Sequence, residues 1–399
     1  MAEPVGELPA RVSAVLRGAA RPVCAYVYDR AVLRTRAAAL RAAVVPARLY
    51  YAVKANGHPA VVGAFAAATD GLEVASGGEL DLAVAAGART IAFSGPAKTD
   101  AELRAAVRAG AVVHVESMLE LHRLAEAARA ETARSGGGSA RAVRAAVRVN
   151  RAGGGLPGTH QMAGAATQFG VDEAELPAVL AAVPSTVELL GFHLHAVSNN
   201  LDAAAHAAFA REAAGWAHAT ATAHGLHLRY LNLGGGLGVD YTGAAEFDVA
   251  VLSGGLRDAA AVLPVGAVLA LEPGRYLAAA GGWYAAEVLD LKRTHGRWFA
   301  VLRGGTHHFR LPAAWGYSHP FAVLPVEDWP YPYPRPELRD ATVDVAGELC
   351  TPRDVLARDA KVTRVRVGDV LVFGRAGAYG WDISHHDFLR HPYPQMLIV

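Results

Sequence analysis

Through the first two-thirds of the chain, short apolar runs of β character alternate with longer runs rich in alanine and leucine. This rhythm constrains the fold more than any other feature. A strand followed by a helix and then another strand folds into a parallel sheet with helices packed on it. Strands are expected at residues 48–53, 71–75, 90–94, 111–115, 142–150, 187–195, 230–233 and 268–272. Their near-continuous hydrophobicity suits strands buried on both faces. Helices are expected at 31–44, 59–69, 78–86, 100–109, 117–133, 172–182, 201–224 and 245–263, with Asp100 and Ser117 as N-caps. Eight of each is the count of a (β/α)8 barrel, although count alone leaves a doubly wound open sheet available.

After about residue 280 the helical periodicity fades. Strand-like runs at 284–292, 298–302, 341–345, 370–373 and 396–399 are separated by turns rich in Pro and Gly, which predicts a C-terminal all-β domain. The early run 23–28 precedes the first barrel helix and is expected to join it. The expected division is therefore residues 1–30 with the β domain, 31–279 as the barrel and 280–399 as the β domain. The run 135–139 reads as a flexible loop.

Composition narrows the function classes. With 52% apolar and 19% charged residues among 399, the chain can bury a large core. A net charge of +1 argues against a nucleic-acid binder or a polybasic membrane-surface protein. Two cysteines, Cys24 and Cys350, exclude a disulfide framework and fit a reduced cytoplasmic setting. No basic-led apolar segment opens the chain, where Glu3 and Glu7 sit, and no apolar run reaches the length of a membrane span.

In such a barrel, chemistry sits at the C-terminal ends of the strands. The expected ends bring Lys54, His195, Gly234-Gly235-Gly236, Glu272 and Arg275 to one rim. Only four lysines occur in the chain, so Lys54 at a buried strand end stands out. A lysine there either snorkels to the surface or serves as a Schiff-base amine. The glycine triplet is a tight turn or a backbone cradle for phosphate. Its surroundings match neither the Walker nor the dinucleotide pattern. Glu272 either pairs with Arg275 across a turn or faces a pyridine nitrogen and keeps it protonated. His195 is either a core histidine or a ring stacked on an aromatic cofactor. Together, lysine, cradle, carboxylate and histidine are what pyridoxal phosphate requires.

Seven segments in order carry a resemblance: Tyr51-Ala-Val-Lys54-Ala-Asn56, Glu73-Val-Ala-Ser76-Gly-Gly-Glu79, His193-Leu-His195-Ala-Val-Ser198, Gly234-Gly235-Gly236, Glu272-Pro-Gly274-Arg275, Gly347-Glu-Leu-Cys350 and Gly377-Ala-Tyr379. They resemble the fold-type III decarboxylases dependent on pyridoxal phosphate, whose barrel is of the alanine racemase type. The resemblance implies that Lys54 carries the cofactor and that His195 stacks on its ring. It implies that Ser198, Gly234, Gly235, Gly236, Gly274, Arg275 and Tyr379 hold the phosphate and that Glu272 meets the pyridine nitrogen. It further implies a homodimer with shared active sites, in which Cys350 returns a proton to the reacting carbon of the partner's site. Substrate contacts are expected from Arg275, Arg310, Thr351 and Tyr379. No metal is expected.

Departures from the family pattern bear on the substrate. Diaminopimelate decarboxylases usually carry an acidic residue after the cysteine to hold a distal ammonium, where this chain has Thr351. The arginine and tyrosine expected in the segment 303–315 are replaced in register by Leu311 and Trp315, with Arg310 one place away. Glu73 stands where ornithine decarboxylases carry aspartate. The run from Gly380 to Pro394, with His385, His386 and His391, resembles the siderophore-pathway branch, which acts on amino acids joined to citrate. The long loop 151–169 leaves room for a bulkier substrate. The primary reading is decarboxylation of a citryl-diaminopropionate type of conjugate. The alternatives are diaminopimelate decarboxylase, a decarboxylase of a carrier-protein-bound amino acid, and a non-enzymatic pyridoxal-phosphate carrier. Glu272 argues against a racemase, and the β domain argues against the carrier.

Overall fold

The computed structural model describes residues 8–134, 142–153 and 156–399. The expected loop at 135–139 and the opening with Glu3 and Glu7 lie outside the described residues. The chain forms two compact units. One comprises Arg34–Val239 with Ala245–Leu277. The other comprises Met1–Leu33, Asp240–Ala244 and Ala278–Val399.

The first unit is a closed parallel barrel. Its strands are β1 (Arg48–Ala52), β2 (Gly71–Val74), β3 (Ile91–Phe93), β4 (Val112–Val115), β5 (Val143–Asn150), β6 (Val187–His193), β7 (Tyr230–Asn232) and β8 (Val268–Leu271). Hydrogen bonding runs β4-β3-β2-β1-β8-β7-β6-β5 and returns through a β4–β5 pairing, which removes the open-sheet alternative. Every one of these pairings is parallel. Inside, Tyr50 and Tyr230 pack with Ala92, Ala146 and Ala270. Large side chains are thus set beside small ones in the tapering interior.

Helices follow the strands at Pro59–Ala68, Gly77–Ala85, Asp100–Ala109, Met118–Arg134, Leu176–Ala181, Ala203–Ala223 and Val249–Val262, and Arg30–Ala43 precedes β1. The N-cap of Asp100–Ala109 is Thr99 rather than the expected Asp100. Thr99 Oγ1 accepts from the Glu102 N–H at 3.2 Å, and the Glu102 carboxylate accepts from the Thr99 N–H at 2.8 Å. This reciprocal pair satisfies two otherwise orphaned donors and moves Asp100 into the first turn. Ser117 does act as expected, its hydroxyl accepting from the Glu120 N–H at 3.0 Å. The helix expected at 172–182 is shorter, because Val171–Asp172 pairs instead as a strand beside β5.

The second unit is built on an eight-stranded sheet. Its central order is Phe321–Leu324, Val370–Phe373, Gly282–Thr294, Arg297–Leu302, Glu337–Ala346 and Val355–Arg366. Cys24–Tyr28 joins it antiparallel to Gly282–Thr294, and Gln395–Ile398 lies parallel to Cys24–Tyr28. The helix Ala10–Arg17 places Val12 and Leu16, one turn apart, into a core with Val23, Val27, Trp283 and Val372. Among the described residues, no helix is long and apolar enough to cross a membrane.

Candidate active site

Lys54 follows β1 directly, in the single 3-10 turn Val53–Ala55. Its ammonium pairs with Glu73 at the end of β2, whose side chain is 1% exposed against 39% for Lys54. Burial holds the Glu73 carboxyl above its usual range, and Lys54 pulls it the other way. Lys98, by contrast, is buried and structural. Its Nζ donates to Gly95 O at 2.8 Å, His114 O at 2.8 Å and Glu120 Oε1 at 2.6 Å, which uses all three donors.

Glu272 ends β8 and is buried. Its Oε1 accepts from Asn232 Nδ2 at 2.5 Å, and its Oε2 lies 3.3 Å from His193 Nε2. Asn232 also donates to Tyr230 Oη at 2.7 Å, and that hydroxyl lies 3.3 Å from His114 Nε2. Ser94 Oγ and His114 Nδ1 are 2.9 Å apart. The rings of His114 and His193 stack with centroids 4.1 Å apart. Burial pushes the pKa of both well down, helped at His193 by Arg148. Both are therefore neutral rings around a carboxylate.

The glycine triplet lies beside His195. Gly234 and Gly236 have φ of +69° and +96°. A Cβ on Gly234 would meet His195 Nδ1 at 2.5 Å, one on Gly235 would meet Glu272 O at 2.4 Å, and one on Gly236 would meet Val197 O at 2.6 Å. Only glycine fits at all three positions. Two of their N–H groups bond within the site: Gly234 donates to Asn232 Oδ1 at 2.8 Å and Gly235 to His195 Nδ1 at 3.2 Å. Gly274 packs against the Lys54 turn, since a Cβ there would lie 2.7 Å from Ala55 Cβ. Arg275 opens the short helix Arg275–Ala278 and is buried. Ser198 is held in a two-residue pairing with His160, in the loop after β5. Burial, then Arg148 and Lys54, holds His195 neutral.

The strand ends thus carry Lys54, His195, the triplet, Glu272 and Arg275, as expected from the sequence. They also gather residues that sequence reasoning missed. Arg148 on β5 pairs with buried Glu116 at 3.1 Å, and its guanidinium lies over the Phe169 ring. Its Nη2 is buried without a hydrogen-bond partner. Asn232, His114 and Ser94 had no distinguishing signal, because each acquires its role only when different strands converge. His114, His193 and Glu272 also form the one group among the described residues with ligand atoms within 4.8 Å of one another.

The remaining expected residues lie in the other unit. Cys350 is exposed, whereas Cys24 is buried and its thiol is pushed up to about 12 by burial. The Cys350 turn is pinned by Asp354, which accepts from the N–H groups of Leu349 at 2.8 Å and Thr306 at 2.6 Å. Glu348 anchors it further, pairing with Arg303 and accepting from the Gly304 N–H at 2.9 Å. Tyr379 adopts a left-handed φ of +52°, which is costly for a tyrosine and is held by its surroundings. Arg310 and Thr351 line one cavity with His385. His386 instead stacks on Trp381, and His391 lies 3.5 Å from Glu348.

Residues 30–279 match the family described as pyridoxal-dependent decarboxylase, pyridoxal binding domain. The chain belongs to the pyridoxal-dependent decarboxylases. It is 38% identical to the 2-[(L-alanin-3-ylcarbamoyl)methyl]-2-hydroxybutanedioate decarboxylase of Staphylococcus aureus, over 96% of each chain. It is 34% identical to the diaminopimelate decarboxylase of Deinococcus radiodurans, over 92% of this chain and 88% of that one. In fold it matches the diaminopimelate decarboxylase of Helicobacter pylori complexed with L-lysine. That match has a TM-score of 0.82 at 22% identity, over 97% of this chain and 94% of that one. The residues of this member fit its cofactor, pyridoxal phosphate. The glycine turn has no room for a side chain and presents bare backbone at the strand end. A buried carboxylate is held rigidly at Glu272, and Arg148 keeps an unpartnered charged donor for an acceptor on a ligand. When bound, the cofactor supplies an aldehyde that links to amines and a protonated pyridine ring that draws in electrons.

Proposed function

We propose that this decarboxylase acts on an amino-acid group joined to citrate, of the citryl-diaminopropionate type, in siderophore biosynthesis. The observation that carries the reading is likeness along 96% of both chains to the staphylococcal enzyme, whose name spells a citrate skeleton amide-linked through the side chain of alanine. Thr351 supports it, because no acid stands beside Cys350 to receive the distal ammonium of a free diamino acid. The neighbouring Arg353 is also of the wrong sign for that task.

In this reading Lys54 would hold the cofactor through its side-chain amine and would be released as a free amine when the substrate amine takes its place. Glu73 beside it takes up or returns the proton that the exchange moves. Glu272 would keep the ring nitrogen protonated, and Asn232 holds Glu272 in place. Neutral His195 stacks on the ring without adding charge that would oppose its protonation. Ser198, the triplet, Gly274, Arg275 and Tyr379 hold the phosphate. Cys350 delivers a proton to the carbon that has lost carbon dioxide, in the site of a second copy of the chain. The enzyme works as a cytoplasmic homodimer.

The test is product analysis by mass spectrometry. Purified protein with pyridoxal phosphate is offered citryl-diaminopropionate, meso-diaminopimelate, ornithine and lysine. The reading predicts loss of carbon dioxide from the citrate conjugate. Turnover of meso-diaminopimelate with none of the conjugate overturns it.

A further inference from the structure

The β-sheet unit contains a cavity of about 620 Å³, within the range of small-molecule sites. Its charged and titratable lining residues are Arg310, Tyr317, Arg353, Arg358 and His385. No carboxylate lines it. None of the three arginines enters an ion pair among the described residues; they are held through their backbones. The Arg310 N–H donates to Ser384 Oγ at 3.0 Å, that of Arg353 to Thr351 Oγ1 at 3.3 Å and that of Arg358 to Ser318 Oγ at 2.9 Å. The carboxylates closest in sequence are engaged elsewhere. Asp354 accepts from the N–H groups of Thr306 and Leu349, and Asp359 pairs with Arg297 at 2.9 Å. Elsewhere in this unit Arg297, Arg335, Arg364 and Arg366 have acidic partners. Three arginines with no lining carboxylate leave this hollow with an excess of positive charge, which favours an anion. Their planar forks match carboxylates in two-point contact. The walls are apolar at Pro312, Val355 and Leu356, and Ser318 and Thr306 add hydroxyls.

We propose that this cavity recognises a polycarboxylate and that Arg353 and Arg358 determine specificity for it. This rests on the citrate-conjugate reading and names the part of the chain that would select the citryl end. After amide formation a citryl group keeps two carboxylates and a hydroxyl. That set suits the arginines and hydroxyl side chains of this lining.

The experiment uses the holoenzyme and the double variant Arg353→Gln/Arg358→Gln, with citrate as the probe in calorimetry and citryl-diaminopropionate as substrate. Loss of two charge-assisted contacts predicts a roughly 10- to 100-fold weaker citrate affinity and a similar rise in KM. The kcat stays within about 3-fold, and the visible absorption of bound pyridoxal phosphate is unchanged. Arg353→Lys/Arg358→Lys recovers part of the affinity, because charge returns without the fork. Equal citrate affinity and equal KM in wild type and variant overturn the assignment while leaving the substrate reading standing. A wild-type enzyme that neither binds citrate nor turns over the conjugate overturns both.

Discussion

Asn232 holds Glu272: its Nδ2 donates to Oε1 at 2.5 Å while the same amide donates to Tyr230 Oη at 2.7 Å. The carboxylate is therefore fixed from β7 before any ligand arrives. Asn232→Ala should lower kcat by roughly 10-fold and cost about 1–3 kcal/mol of stability, because a buried acceptor loses its donor. Cofactor absorption should remain. Unchanged kcat would show that Glu272 needs no such support.

The lysines Lys54 and Lys98 should part company on substitution. Lys54→Ala should abolish the visible absorption of bound pyridoxal phosphate with a small change in stability. Lys98→Met should keep that absorption and cost about 3–5 kcal/mol, because Glu120 would be left buried without its partner. Denaturant titration and absorption spectra check both. A surviving visible band in Lys54→Ala would refute its role.

The thiols differ as sharply. Cys24 is buried with its thiol pushed up to about 12, whereas Cys350 is exposed. Thiolate is the reactive form. Iodoacetamide at pH 8 should alkylate Cys350 and spare Cys24 in the native protein, and activity should fall in step with that single modification. Peptide mass mapping reads the sites. Full activity after complete alkylation of Cys350 would remove it from the proton transfer.

Acid should destabilise the fold from about pH 6.5 downward. Burial holds His206 and His319 down to about 4. Between those values the unfolded chain binds protons that the native state refuses, so stability falls as pH falls and is fully present above the upper limit. Each such histidine contributes a slope of about 1.4 kcal/mol per pH unit. Glu73 and Glu120, whose carboxyls are raised by burial, act with the opposite sign and are outnumbered by the buried histidines. The urea midpoint should therefore drop between pH 7.5 and pH 5. A flat midpoint would contradict this.

Much of this was legible in the sequence because parallel strands buried on both faces leave an apolar signature. All eight barrel strands fall within the expected runs, and the place of Cys24–Tyr28 in the β sheet was signalled by an apolar run ahead of the first barrel helix. Val355–Arg366 was not legible. It is twelve residues long but carries Arg358, Asp359, Lys361 and Arg364 on a solvated stretch, so its hydrophobic alternation is weak. The short helix Ala10–Arg17 has too few turns for its periodicity to stand out. Lys54 and Glu272 were found because a charged group at the end of an apolar strand is costly without a purpose. Asn232, His114 and Arg148 were missed because polar residues of this kind become informative only when distant strands bring them together.

Competition between two substrates bears on the whole account. Equimolar citryl-diaminopropionate and meso-diaminopimelate would be supplied to the holoenzyme, with both products followed in one reaction, giving the ratio of kcat/KM directly. The account predicts a preference for the citrate conjugate of at least about 10-fold, the lower bound set by the two charge-assisted contacts of Arg353 and Arg358. A ratio near one, or one favouring meso-diaminopimelate, would contradict it.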